Sequence, residues 1–141
     1  MPFNQKENAI NELNARVKIR IAPSKIHSVG VFAMRDIKDG EKLYAQSVPL
    51  PYKISPGNLG KLFPEVRELL LGEVPWISLG VAFPYPTCIF QAYINYAPLG
   101  ECNYDCINDT AVRDISKGEE ITENYKVIQG WEVAHPWLVD K

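Results

Sequence analysis

At 141 residues, with 46% apolar and 23% charged side chains, the chain is expected to form one globular domain with its own core. A net charge of −2 argues against a dedicated nucleic-acid surface, which needs a basic face, and leaves a basic protein partner open. No run approaches the roughly 20 apolar residues that span a bilayer. The polar start, Asn4-Gln5-Lys6-Glu7-Asn8, has no secretory apolar region, and three cysteines without framework spacing suggest reduced thiols in a cytoplasmic or other reducing intracellular compartment, the nucleus or a host cell included.

Eleven Pro and nine Gly favour many short elements. Residues 1–16 are expected as a tail with at most one polar helical turn, and 17–141 as the domain. Val17-Lys18-Ile19-Arg20-Ile21 alternates apolar and charged residues, the mark of a half-buried strand, and Pro23-Ser24 should end it. His27-Ser28-Val29-Gly30 then turns into a strand from Val31 to Met34. Gly30 suits either a plain turn or a place where a ligand approaches the backbone, and His27 alone reads as a surface residue. Lys42 to Ser47 reads as a strand, and Pro49 to Pro56 as a Pro-rich crossing. Asn58 to Leu71 carries the best helical stripe, which Pro64 should divide into a short turn and a helix from Pro64 to Leu71 stopped by Gly72. Trp76 to Leu79 and Cys88 to Tyr93 read as strands, and Pro98 to Asp109 as a loop. Cys102 and Cys106 supply half a metal site, but Cys88 and the separated His27 and His135 do not complete four ligands, so no metal is expected. The tail after Tyr125 carries Trp131, His135 and Trp137. It either closes a site or simply docks.

One stretch occurs twice. Ala33 to Lys42 reads A-M-R-D-I-K-D-G-E-K, and Ala111 to Glu120 reads A-V-R-D-I-S-K-G-E-E, 78 positions later. In both, a short apolar strand runs into a charged turn closed by Gly. Arg-Asp-Ile is not turn chemistry and still repeats, which predicts two related β-substructures in comparable hairpins. Only the second copy continues, into Thr122-Glu123-Asn124-Tyr125.

The whole second copy, A-x-R-D-I-x-x-G-E-E-I-T-x-x-Y, resembles the C-terminal signature of the SET domain, the fold of most protein lysine methyltransferases. The first copy, with Ser28-Val29-Gly30-Val31-Phe32-Ala33 before it, resembles that family's Gly-x-Gly-x-Phe-Ala cofactor motif, with Ser28 in place of the first Gly. Asn95-Tyr96-Ala97 and Asn103 match its Asn-His-Ser and downstream Asn weakly, and Asn124 stands where Asp is usual. The resemblance covers residues 17–125, with a variable insert near 52–86 and an aromatic tail over 126–141. It implies a mostly β fold of several short twisted sheets, the β-clip-like SET architecture, with one or two short helices near 58–71 and a C-terminal pseudoknot. It also implies S-adenosyl-L-methionine as cofactor, and a protein or peptide presenting a lysine as partner, with no direct nucleic-acid or membrane partner. Tyr125 would be the catalytic tyrosine, with Ser28, Val29, Gly30, Asn95 and Tyr96 holding the cofactor.

Methyl transfer to an amine needs in-line alignment, a neutral amine and exclusion of water, with no metal and no protein nucleophile. A tyrosine suits this, since its hydroxyl sets an oxygen dipole beside the reacting carbon and its ring makes a dry wall. Ser28 can be accommodated if its φ is negative, and Tyr104 is expected to be a loop tyrosine whose Phe variant behaves like the parent. A SET-like binding module without catalysis, and an unrelated β-rich module, remain alternatives.

Overall fold

The computed structural model describes residues 6–46, 50–85 and 90–139. The elements run, in chain order, α1 (Lys6–Arg16), β1 (Ile19–Pro23), β2 (Val29–Ala33), β3 (Leu50–Tyr52), a 3-10 turn (Pro56–Lys61), α2 (Pro64–Glu73), a 3-10 turn (Pro75–Leu79), β4 (Phe83–Tyr85), a 3-10 turn (Phe90–Tyr93), β5 (Asn95–Tyr96), β6 (Tyr104–Asp105), β7 (Thr110–Ala111), β8 (Glu120–Glu123), a 3-10 turn (Tyr125–Val127), α3 (Trp131–Ala134) and a last 3-10 turn (Pro136–Leu138). Six strands join in one sheet in the order β1-β2-β8-β6-β7, with β5 also on β8, while β3 and β4 make a separate pair. This is the mostly β fold of short sheets and short helices that the sequence implies.

The helical part of the insert largely follows its sequence. Pro64 divides the stripe as expected, with a 3-10 turn before it and α2 after it. Leu62, Val66 and Leu70 are buried, and they meet Tyr52, Ile54, Ile77 and Phe83 in the common core. Gly72 does not stop the helix. It lies inside α2, which ends at Glu73 with Val74 as its cap, immediately before Pro75.

Further expectations are corrected. The N-terminal tail is an 11-residue helix, because Ala9, Ile10 and Leu13 fall on one face and are fully or almost fully buried. Val17 still bonds back to Leu13, so β1 begins at Ile19, and Pro23 is its final residue, where no further ladder donor is needed. Lys42 to Ser47 is not a strand. Lys42 makes a single bridge to Thr110, Tyr44 takes a left-handed φ of 58° that ends any extended run, and Ser47 lies outside the described residues. Trp76 to Leu79 is a 3-10 turn, started by Pro75 and closed by Gly80 at φ 74°. Residues 90–93 are likewise a 3-10 turn, Cys88 being outside the described residues. The stretch from Pro98 to Asp109 is a loop apart from β6.

The two Arg-Asp-Ile copies lie against each other. Ile37 and Ile115 exchange both backbone bonds at 2.8 Å. Gly40 N donates to Ala111 O and Gly118 N to Ala33 O, each at 2.8 Å. Asp114 accepts from Asp39 N at 2.9 Å, and Asp36 accepts from Lys117 N at 2.8 Å. Both turn glycines sit at φ 86°, a region that favours glycine. Each copy follows the second strand of an antiparallel hairpin, β1–β2 or β6–β7. The Asp of each copy thus receives the other copy's turn, and the Ile pairs with itself, so those two letters recur for a tertiary reason.

Beyond the repeat, β8 is clasped. Ala97 N donates to Glu123 O at 3.0 Å and Asn103 N to Thr122 O at 3.2 Å. Successive strand carbonyls point to opposite edges, so β5 and β6 hold β8 from both sides, each parallel to it. The segment 95–104 therefore closes around the chain that leads to Tyr125, as a pseudoknot requires.

Candidate functional site

The loop between β1 and β2 is tied to Asn95 and Glu120. Asn95 is buried, and its Nδ2 lies 3.1 Å from Ser24 Oγ, 3.3 Å from His27 O, 3.1 Å from Val29 O and 2.8 Å from Glu120 Oε2. Ser24 Oγ donates to the Glu120 carboxylate at 2.8 Å. Ser28 adopts φ 46°, so the condition of a negative φ is not met. The serine takes the left-handed turn that a glycine would take freely, at a cost of about 1 kcal/mol. Gly30 is not at positive φ. A Cβ there would stand 2.2 Å from Glu120 Oε2 and 3.1 Å from Asn95 Nδ2, so its nearest neighbours are this carboxylate and this amide.

A cleft of about 500 Å³ opens beside this loop, lined by Ile26, His27, Asn95, Tyr96, Tyr125, His135 and Trp137. Its walls are aromatic. Tyr96 packs on Tyr125 with centroids 5.6 Å apart and meets Trp137 edge-on at 5.8 Å. His135 stacks on Tyr125 at 4.3 Å. The C-terminal segment is anchored by Leu138, which is fully buried, while Trp137 stays 55% exposed at the cleft. Docking and closure of the cleft are therefore one arrangement. The bulk of Tyr96 is accommodated in the aromatic wall. Asn124 caps the 3-10 turn that begins at Tyr125, accepting from Lys126 N at 3.0 Å, a task an Asp would perform equally.

Tyr125 also borders a second, smaller cavity of about 150 Å³, with Gln91, Ile94, Glu123, Ile128 and His135. Its hydroxyl donates to Ile94 O at 2.6 Å, which leaves the oxygen lone pairs as acceptors. Burial, and secondarily the charge of Glu123, push this phenol up to about 12. Glu123 is 1% exposed. Burial raises its carboxyl to about 7, against the partial relief of a hydrogen bond from Gln91 Nε2 at 3.1 Å. The Cys106 thiol lies close enough to favour the charged form slightly, yet no hydrogen bond of good geometry reaches Glu123 Oε2.

Of the residues expected at the site, Asn95, Tyr96 and Tyr125 share one cleft, and Val29 meets them through its carbonyl. The Ser28 side chain is exposed and is not part of the cleft lining. Tyr104 is not a free loop residue. It is 2% exposed, donates to Asp109 at 2.7 Å, and is held protonated by burial. Among the described residues no cluster of three or more His, Cys, Asp or Glu could hold a metal, and Cys106 is a buried thiol raised to about 11 by burial. His27 lines the cleft although alone it reads as a surface residue. Glu120, Glu123 and Gln91 were not singled out from the sequence. A signal for Glu123 was present: a carboxylate at the sequence offset where the first copy carries a buried Ala45.

No family model matches the chain, and no curated protein was found similar to it. Among solved structures, it is similar to a humanized mutant of the Chaetomium thermophilum Polycomb Repressive Complex 2 bound to the inhibitor GSK343, at 21% identity and a TM-score of 0.41, over 86% of this chain and 18% of that one. It is also similar to the same kind of complex bound to GSK126, at 19% identity and TM-score 0.42 over 85% and 18% of the two chains. The apo complex in an autoinhibited state matches at 20% identity and TM-score 0.42 over 86% and 18%. The chain thus spans less than a fifth of those chains, and a likeness this slight does not bear on what it does.

Proposed function

We propose that the chain is a SET-type domain that transfers a methyl group from S-adenosyl-L-methionine to the side-chain amine of a lysine in a protein or peptide. The observation that carries this reading is that Tyr125 and His135 form a wall common to two cavities. A transfer between two bound molecules needs two adjoining sites with the reacting atoms in line across a dry boundary. The larger cleft gathers the three motif segments that the resemblance assigns to the cofactor, from positions near 27, 95 and 125.

The residues present fit that cofactor. Tyr96 and Trp137 offer faces on which a purine stacks, and aromatic faces also favour a sulfonium cation. Asn95 and the carbonyls of His27 and Val29 supply polar groups beside the 24–30 loop, and the Glu120 carboxylate behind it favours an ammonium. When bound, the cofactor supplies an electrophilic methyl group. This chain's own residues orient and shield. Tyr125, its proton committed to Ile94 O, turns an acceptor oxygen toward the reacting centre and stays neutral at pH 7. His135, stacked on its ring, and Trp137, edge-on to it, shield it from water.

Titration calorimetry with S-adenosylmethionine, followed by turnover on a mixed protein extract with labelled cofactor, tests the reading. Saturable binding and label in protein are expected, and absence of both would end it. A second reading, a SET-like binding module, is favoured by the Tyr96 ring in the wall of the cleft. Binding without any label in protein would select it.

A further inference from the structure

We propose that Glu123 is the amine-receiving group of this chain: its carboxylate, in the wall of the small cavity beside Tyr125, binds a primary alkylammonium such as a lysine side chain and accepts its proton. The fate of the amine afterwards rests on the methyl-transfer reading; the binding and the proton transfer do not.

A carboxylate 1% exposed with one oxygen lacking a hydrogen bond is costly to a fold. The fold does not ask for it. The first copy carries Ala45 at the same offset, fully buried, and there the small apolar side chain suffices. The cost is explained if a donor arrives from outside. The cavity suits one kind of donor. Its wall is mostly polar, with Gln91, Glu123, Tyr125 and His135 beside the aliphatic Ile94 and Ile128, and about 150 Å³ admits a short unbranched chain carrying a polar head rather than a nucleotide. No lysine or arginine among the described residues lines it, so the charge of Glu123 has no resident cation there. The titratable groups around it are Cys106, Tyr104, Tyr125 and His135, of which the first three are themselves raised in part by its charge. Burial brings the carboxyl to about 7, where it exchanges protons readily near neutral pH. Tyr125 completes the arrangement, because its oxygen can only accept while it donates to Ile94 O.

The step balances simply. An N–H bond of the ammonium breaks, an O–H bond forms on Glu123, and the electron pair stays on nitrogen as the lone pair a methyl acceptor needs. The proton passes to water once the amine has left.

The test uses the whole chain, with glutamate carboxyls labelled with carbon-13, titrated with n-butylammonium at pH 8 and observed by NMR. The Glu123 resonance is identified by its loss in Glu123→Gln. It should move with n-butylammonium at millimolar concentration and stay still with n-butanol, the neutral counterpart. The Tyr125 and His135 ring signals should need at least tenfold more amine in Glu123→Gln than in the parent. If that variant does not fold, the Glu123 resonance is identified in the parent by its titration midpoint near 7, and its response to n-butylammonium against n-butanol decides alone. A Glu123 resonance that ignores the amine, or answers both compounds equally, overturns the proposal. Calorimetry with S-adenosylmethionine separates the two readings. Cofactor binding with an unmoved Glu123 sinks this proposal and spares methyl transfer. A moved Glu123 without cofactor binding supports the amine site and sinks methyl transfer.

Discussion

The two copies of the repeat begin as equals and end as opposites. Through Glu41 and Glu119 their backbones make the same bonds to each other, and each carboxylate receives the backbone N–H at the start of its own turn, at 3.0 and 3.1 Å. A buried residue from the preceding hairpin reads each turn. Lys18 donates to the Glu41 carboxylate and to Lys42 O, and Asn103 donates to the Glu119 carboxylate and to Glu120 O. Three residues past the shared Glu the paths part. Tyr44 turns left-handed and the first copy leaves the sheet, whereas Thr122 stays extended between β5 and β6 and delivers Glu123 and Tyr125 to the two cavities. A duplicated frame thus carries structure in one half and a candidate site in the other.

The largest effect should come from the residue with no counterpart in that frame's chemistry. Tyr125→Phe should cut methyl transfer by roughly tenfold to a thousandfold, the scale for losing one preorganised dipole. Loss of the bond to Ile94 O should cost about 1 kcal/mol of stability. Tyr93, 44% exposed, replaces Tyr104 as the control, and its Phe variant should work as the parent does. Equal turnover in Tyr125→Phe would put the chemistry elsewhere.

The paired readers come next. Lys18→Met should destabilise by about 3 kcal/mol, because a buried ion-pair partner is removed and Glu41 is left a third exposed. Asn103→Ala should cost about 2 kcal/mol by stranding Thr122 N and Glu120 O. Denaturant melts measure both. Only the Asn103 variant should also weaken cofactor binding, since only it loosens β8. Equal effects on binding would erase the distinction between the halves.

Glu123 should leave a mark on pH dependence that Ala45 cannot. Its folded value, about 7, lies above its ordinary 4.5, so the folded state holds the proton more tightly. Stability should fall as pH rises from about 4.5 through 7, by ~3 kcal/mol at most, and be free of this penalty below 4.5. Glu123→Gln should flatten that slope and be the more stable protein at pH 8. A parent and variant with parallel stability curves would contradict the assignment of a buried, uncompensated carboxyl. The smallest contrast is Gly30→Ala against Asn108→Ala, one offset apart. The first crowds Glu120 and should cost about 1–3 kcal/mol and reduce cofactor affinity. The second, on an exposed turn, should change thermal stability by no more than about 0.5 kcal/mol.

Much of this was legible in the chain itself. Local chemistry marked the Gly40 and Gly118 turns, the division of the 58–71 stripe at Pro64, and the mostly β plan, because turn residues and periodicity act over a few positions. The same letters pointed to Tyr125, Asn95 and Tyr96, through a motif that no composition or spacing argument would supply. What local pattern misjudged were the elements decided by distant partners. The polar 6–16 segment becomes a helix because three apolar side chains find a core, and the apolar 75–79 segment coils because Pro75 starts it and Gly80 ends it.

By itself, then, the sequence determined that the chain would hold two like turns and that one would run on to a tyrosine. Tertiary structure alone decided that the turns bind each other, that Gly30 makes room for Glu120, and that Glu123 is buried beside Tyr125 with an unpaired oxygen. The physical reason is reach. Propensity and turn chemistry are fixed by neighbours a few residues away, whereas the burial of a charge depends on what residues 25 to 100 positions distant bring to its side.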